Sequence, residues 1–239
     1  MKLSKMFPIT GVLCMASVQA AVTITTTQDG WIDHNDGSVK DAGTGDRLNI
    51  ATPNPSGASQ FSRVAYFGFD VSSVDLTQVT SITFNATAAS NISGYNGAND
   101  YRFYLVDNTI TDNFDETTLT DGNAPGHTNG NRLTGQQTAG TIVGDVAVAA
   151  TASGQSISLN FSAASLADLA NDTNGFLTIV AEYRGQNNAG YGGFTGLGFE
   201  SKDMAGGTAA TLDIEVAPEP ASTSLLGLGL IGFLLRRKR

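Results

Sequence analysis

Five aspartates stand among glycines in the stretch DGWIDHNDGSVKDAGTGD: Asp29, Asp33, Asp36, Asp41 and Asp46. Calcium takes six to eight oxygens from carboxylates and carbonyls on a bent loop, so this segment is where a structural Ca²⁺ would be expected. It is not an EF-hand. Asp33-His34-Asn35-Asp36-Gly37 is one residue short of the D-x-N-x-D-G spacing, and the closing Glu is missing. The same residues also suit tight turns, which Asp and Asn close through their own side chains. A second set suits sugars. Trp31, Tyr95, Tyr183 and Tyr191 lie in or beside Gly/Asn-rich stretches, with Arg102 and Arg184 near in sequence. Flat rings flanked by planar polar groups anchor polar interfaces, although such rings serve equally well to plug the ends of a fold. Arg63 and Glu200 each sit at the end of a strand-like run, and a bidentate Arg–carboxylate pair between them is expected.

Catalysis finds little to work with. His34 and His127 are too few and too far apart for a zinc site or a triad. No G-x-S-x-G occurs. Glu116, Glu182, Glu200 and Glu215 are the acids from which a glycosidase pair would have to be drawn, and Glu215 reads as outward on a strand. The chain is therefore expected not to be an enzyme.

The elements that must position these residues lie between two addresses. Lys2 and Lys5 form a basic start, Phe7 to Val18 an apolar run, and Val18-Gln19-Ala20 a small-residue cleavage site between Ala20 and Ala21. At the other end stand Pro218-Glu219-Pro220, an apolar run from Ala221 to Leu235, and Arg236-Arg237-Lys238-Arg239. The apolar run is shorter than the ~20 residues that normally span a bilayer, and its cations hold that end cytoplasmic. It suits transient insertion in the inner membrane. Six of the 13 Lys+Arg and one of the 22 Asp+Glu fall in these two segments, which leaves a mature part of net charge −14. That charge opposes nucleic acid and anionic lipid. The single cysteine, Cys14, lies in the N-terminal signal, so the mature chain has no disulfide and no thiolate chemistry.

Between the signals, β-branched and aromatic runs recur between Gly/Asn/Asp turns, which predicts an all-β domain over residues 21–216. The expected strands are Val22–Thr26, Arg47–Ala51, Arg63–Phe69, Ser81–Thr87, Tyr101–Val106, Ile142–Ala149, Ser156–Phe161, Phe176–Tyr183, Gly196–Glu200 and Thr211–Val216. Ten short strands point to a jelly-roll-like two-sheet β-sandwich. One short helix is expected at Ser162–Ala170, with Ser162 as N-cap and Leu166 and Leu169 on one face. The polar stretch 107–141 is expected to wrap one edge of the sandwich.

Two resemblances follow from these residues. Pro218, Glu219, Pro220, the apolar run and the terminal basic tetrad resemble the PEP-CTERM sorting signal of Gram-negative, exopolysaccharide-making bacteria. The N-terminal signal implies export by the Sec translocon and cleavage by signal peptidase, and the resemblance implies processing by an exosortase near the Pro-Glu-Pro. Four landmarks resemble the DNRLRE-type jelly roll, also classed as family 96 of carbohydrate-binding modules. They are Arg63–Ser72, Asn113–Thr120 with Asn123 and Pro125, Asn174-Gly175-Phe176-Leu177, and Phe199-Glu200-Ser201 before the last strand. Together the resemblances imply a glycan-binding protein of the cell surface or exopolysaccharide (biofilm) matrix, with extracellular polysaccharide as its partner. The alternatives are a structural matrix protein without a ligand, and a polysaccharide hydrolase or lyase.

Overall fold

The computed structural model describes residues 20–33, 39–40, 47–52, 63–91, 99–106, 112–120, 122–126, 140–148, 154–183 and 195–217. Their strands are β1 (Ala20–Thr25), β2 (Gln28–Asp33), β3 (Val39–Lys40), β4 (Arg47–Thr52), β5 (Arg63–Asp70), β6 (Val79–Asn91), β7 (Asn99–Val106), β8 (Gly140–Val148), β9 (Ser156–Asn160), β10 (Phe176–Tyr183), β11 (Thr195–Glu200) and β12 (Thr211–Val216). One α-helix, α1 (Ala163–Leu169), and a 3₁₀ turn at Leu76–Gln78 complete them. Ala21–Val216 forms a single compact unit.

The architecture is an all-β sandwich of two antiparallel sheets. In one, the strands run β3-β2-β5-β10-β7-β8. In the other, β6 lies between β9 and β12, with β1 beyond β12. β6 is 13 residues long and changes partner along its length. Its ladder with β12 ends at Thr211↔Asn85, and the ladder with β11 begins at Phe199↔Ala88 beside a bulge. β11 then pairs with β4, and the pair Ala51↔Arg63 ties β4 to β5.

Alternation along each strand builds the core. Ile82, Phe84 and Ala86 of β6 and Leu212 and Ile214 of β12 point inward, while Asp213 and Glu215 stay exposed. Facing them, Phe67 and Phe69 of β5, Phe103 of β7 and Ile179 of β10 fill the interior. Phe84 meets Phe67 at 5.3 Å edge to face and Phe103 at 5.4 Å tilted, and Phe199 meets Phe67 at 6.0 Å and Phe103 at 5.8 Å. Such ring pairs add about 0.5–1.5 kcal/mol each beyond the area they bury.

β5 is buried on both faces, which explains its nearly unbroken apolar run. Val64 and Tyr66 face outward into a second cluster with Ile32, Val106 and Val180, capped by Phe114, Leu119 and Ala124. The described part of the polar stretch, residues 112–120 and 122–126, thus covers the outer face of the β2-β5-β10 sheet and not an edge, because its three apolar side chains match that second apolar face. Asp115 and Asn123 shape this cover. Asp115 Oδ1 accepts from the Thr117 N–H (2.9 Å) and hydroxyl (2.6 Å), and Asn123 Oδ1 accepts from the Thr120 N–H at 2.6 Å.

The helix begins as the sequence predicts. Ser162 Oγ accepts from the Ser165 N–H at 3.1 Å, and Leu169 is buried. A further departure is β2 with β3. The stretch 29–46 is not a single loop, because Trp31 and Ile32 put apolar side chains on opposite faces of a strand that pairs with β5. Trp31 and Ile32 then pair with Lys40 and Val39.

Candidate functional site

Among the described residues, a group of charged side chains joins three segments distant in sequence: the start of β2, the cover, and the turn after β11. Asp29 is 1% exposed. Its Oδ1 accepts the Ser201 hydroxyl at 3.0 Å and its Oδ2 the Lys202 N–H at 2.6 Å. The Asp29 N–H donates to Glu116 Oε2 at 3.0 Å. Lys202 Nζ donates to Glu116 Oε1 at 2.9 Å and to Asp203 Oδ2 at 2.7 Å.

Burial pushes the Asp29 carboxyl up to about 6, against the pull of the Lys202 N–H and the Ser201 hydroxyl. Burial would lower Lys202, but the hydrogen bonds it donates to the Asp203 and Glu116 carboxylates outweigh it and hold the ammonium above its ordinary value. Carboxylate oxygens of Asp29, Glu116 and Asp203 lie within 4.8 Å of one another, a grouping able to hold a cation. The Lys202 ammonium already supplies one positive charge there, so a metal ion would have to displace it.

The sequence does not foresee this cluster. Of its members only Asp29 belongs to the calcium set, and it turns to Ser201 and Lys202. Asp33 ends β2 with its backbone opposite Arg63. Asp36, Asp41 and Asp46 lie outside the described residues.

The sugar set is similarly divided. Trp31 is 5% exposed and belongs to the main core, with the Arg63 guanidinium 4.7 Å above its ring. A stacking platform must show a face to solvent, so Trp31 is corrected from ligand contact to core residue covered by a cation. Arg102 is held in a bidentate pair with Asp145, 2.7 Å from Nε to Oδ1 and 2.9 Å from Nη2 to Oδ2. That pair raises the Arg102 pKa further. Tyr183 ends β10 opposite Tyr101. Tyr95, Arg184 and Tyr191 lie outside the described residues.

Arg63 and Glu200 are not brought together. Arg63 is opposite Ala51 of β4, whose β11 partner is Gly196, whereas Glu200 at the other end of β11 is opposite Arg47. The Glu200 carboxylate instead accepts the Thr208 N–H at 2.6 Å. Strand register, invisible in one sequence, separates the pair.

The four acids considered for glycoside cleavage occupy different settings. Glu116 holds Lys202, Glu200 holds the Thr208 N–H, Glu215 takes the Ser81 hydroxyl at 2.8 Å on the outer face of β12, and Glu182 is buried on β10 opposite Arg102. His34 and His127 lie outside the described residues. A further buried carboxylate, Asp112, fastens the near end of the cover. It accepts Asn174 Nδ2 at 2.7 Å and the Thr178 N–H at 3.0 Å, and burial pushes it up to about 6.

The C-terminal tail decides what kind of protein this is. Residues 216–239 match the PEP-CTERM protein-sorting motif. The chain therefore carries an exosortase-type sorting signal and is an exported protein with a transient membrane anchor. The match covers the tail and not the sandwich, and Pro218, Glu219, Pro220, Arg236, Arg237, Lys238 and Arg239 lie outside the described residues. Among the described residues no helix is long and apolar enough to cross a membrane. No curated protein matches the chain. A solved structure, the K1 cleaved adhesin domain of Lys-gingipain from Porphyromonas gingivalis W83, is similar at 10% identity with a TM-score of 0.31. The alignment covers 83% of this chain and 90% of that one.

Proposed function

We propose that this PEP-CTERM chain is a non-catalytic, glycan-associated protein of the cell surface or exopolysaccharide matrix. The single observation that carries the reading is the sorting motif at 216–239, which follows directly on a sandwich that closes at Val216. Residues 1–20 act as the signal peptide, cut by signal peptidase between Ala20 and Ala21 after Sec export. Residues 21–216 are the working domain, and 217–239 are removed by exosortase. The landmark likeness to the DNRLRE-type jelly roll supports glycan as the partner.

A purely structural matrix protein is the second reading, favoured by the engagement of Trp31 with Arg63 and of Arg102 with Asp145. A structural calcium ion stays in the proposal on the chemistry of Asp33, Asp36, Asp41 and Asp46, without Asp29.

The test is expression of the full chain in a host with and without a working exosortase, with mass spectrometry of the C-terminus in each cell fraction. The expected product is a chain ending near Pro218–Pro220 outside the inner membrane, only when exosortase is present. Full-length chain, Arg239 included, lodged in the inner membrane under both conditions would overturn the reading.

A further inference from the structure

Where β6 changes partner from β12 to β11, across Ala86 and Thr87, the outer face of the sheet opens into a cleft of about 260 Å³. Three segments wall it: Asn85–Thr87 of β6, Ser156–Ser158 of β9, and the approach to β12 at Thr208, Ala209 and Thr211. The cleft exists because the chain leaves the sheet before β12. The Ala210 carbonyl accepts the Thr26 N–H at 2.9 Å, and the Thr208 N–H turns to Glu200.

Its lining joins hydroxyls and one amide to the core residues Ala86 and Ile157 and to Ala209, with no ionisable side chain. Asn85 is pre-set, with Nδ2 2.9 Å from Asp213 Oδ2 and Oδ1 accepting the Ser158 hydroxyl at 2.8 Å. Behind the lining, Asp213 accepts from Asn85 Nδ2 and Glu200 from the Thr208 N–H.

We propose that this cleft is a binding site for a neutral sugar unit of a polysaccharide chain. The proposal rests on the glycan-associated reading above and gives it a place. A sugar ring offers alternating hydroxyls and C–H edges, which match a lining of hydroxyls, an amide and aliphatic groups. Hydrogen bonds among neutral groups fix its orientation, and the carboxylates behind Asn85 and Thr208 repel uronic acids. With no ring in the lining to stack on, the site depends on hydrogen bonds, and binding there is sensitive to the loss of single hydroxyls.

The experiment is an NMR titration of the processed, isotope-labelled protein. The probes are three neutral hexamers (cellohexaose, maltohexaose and mannohexaose) and one anionic hexamer of alginate. At least one neutral hexamer should shift the amides of 85–87, 156–158 and 208–211. The double variant Thr87→Val/Thr208→Val should weaken that binding by about fivefold or more, the loss expected for one hydrogen bond or more. These side chains are only partly buried or exposed, and an otherwise unchanged spectrum verifies the fold. Absence of shifts with every neutral hexamer, shifts confined to another face, or binding of the alginate hexamer alone would each overturn the cleft. None of these outcomes touches exosortase-dependent release, whose failure is read in the separate fractionation experiment.

Discussion

Acidifying the protein from pH 7 to pH 5 is expected to stabilise it. Asp29 and Asp112 are each 1% exposed and held at about 6 in the fold, against an ordinary 3.8. A carboxyl raised on folding gives its full stabilisation below its unfolded value and loses it as pH rises through the folded value. The relevant window is therefore pH 4 to 6. Near 1.4 kcal/mol for each pKa unit, the two groups together supply about 2–3 kcal/mol between pH 7 and pH 5. For a domain of this size that corresponds to a Tm gain of roughly 4–12 °C. Asp70 and Asp115, both exposed, are lowered by hydrogen bonds from Ser72 and Thr117, so their opposing effect falls below pH 4. Urea unfolding of the processed protein at half-unit pH steps reads the slope, and Asp112→Asn should remove about half of it. Stability that rises from pH 5 to pH 7, or an Asp112→Asn slope equal to that of the parent, would refute the burial argument.

Gly68→Ala should cost about 1–3 kcal/mol in urea melts, because a Cβ there would sit 2.6 Å from the Phe176 ring and 3.1 Å from that of Phe114. Ser162→Ala removes the cap of α1 and should cost about 1 kcal/mol by the same measurement. Lys202→Met leaves Asp29, Glu116 and Asp203 without their cation, so calorimetric Ca²⁺ affinity should rise in the variant relative to the parent if the lysine is what fills that cluster.

Much of the fold is legible along the chain, and the reason is local. Alternation in Thr211–Val216 marks an inward and an outward face without reference to any partner, and the structure returns the same strand bounds. Ser162 announces the helix because a cap bonds only to its own first turn. β2 was hidden because Asp and Gly beside Trp31 and Ile32 imitate a metal loop, and only pairing with β5 turns them into a strand. The cluster of Asp29, Glu116 and Lys202 had no signal at all. Its members meet across separations of 86 and 173 residues.

The C-terminal sorting motif needed nothing but sequence, since a sorting enzyme reads an extended, local pattern of charge, apolar length and proline. Site geometry is the opposite case. Whether Trp31 shows its ring or buries it, whether Arg63 reaches Glu200, and where β6 leaves a cleft between two partners all depend on register and on which face a distant segment covers. Those are set by the packing of the whole sandwich, where a shift of one residue would exchange every inward side chain for an outward one.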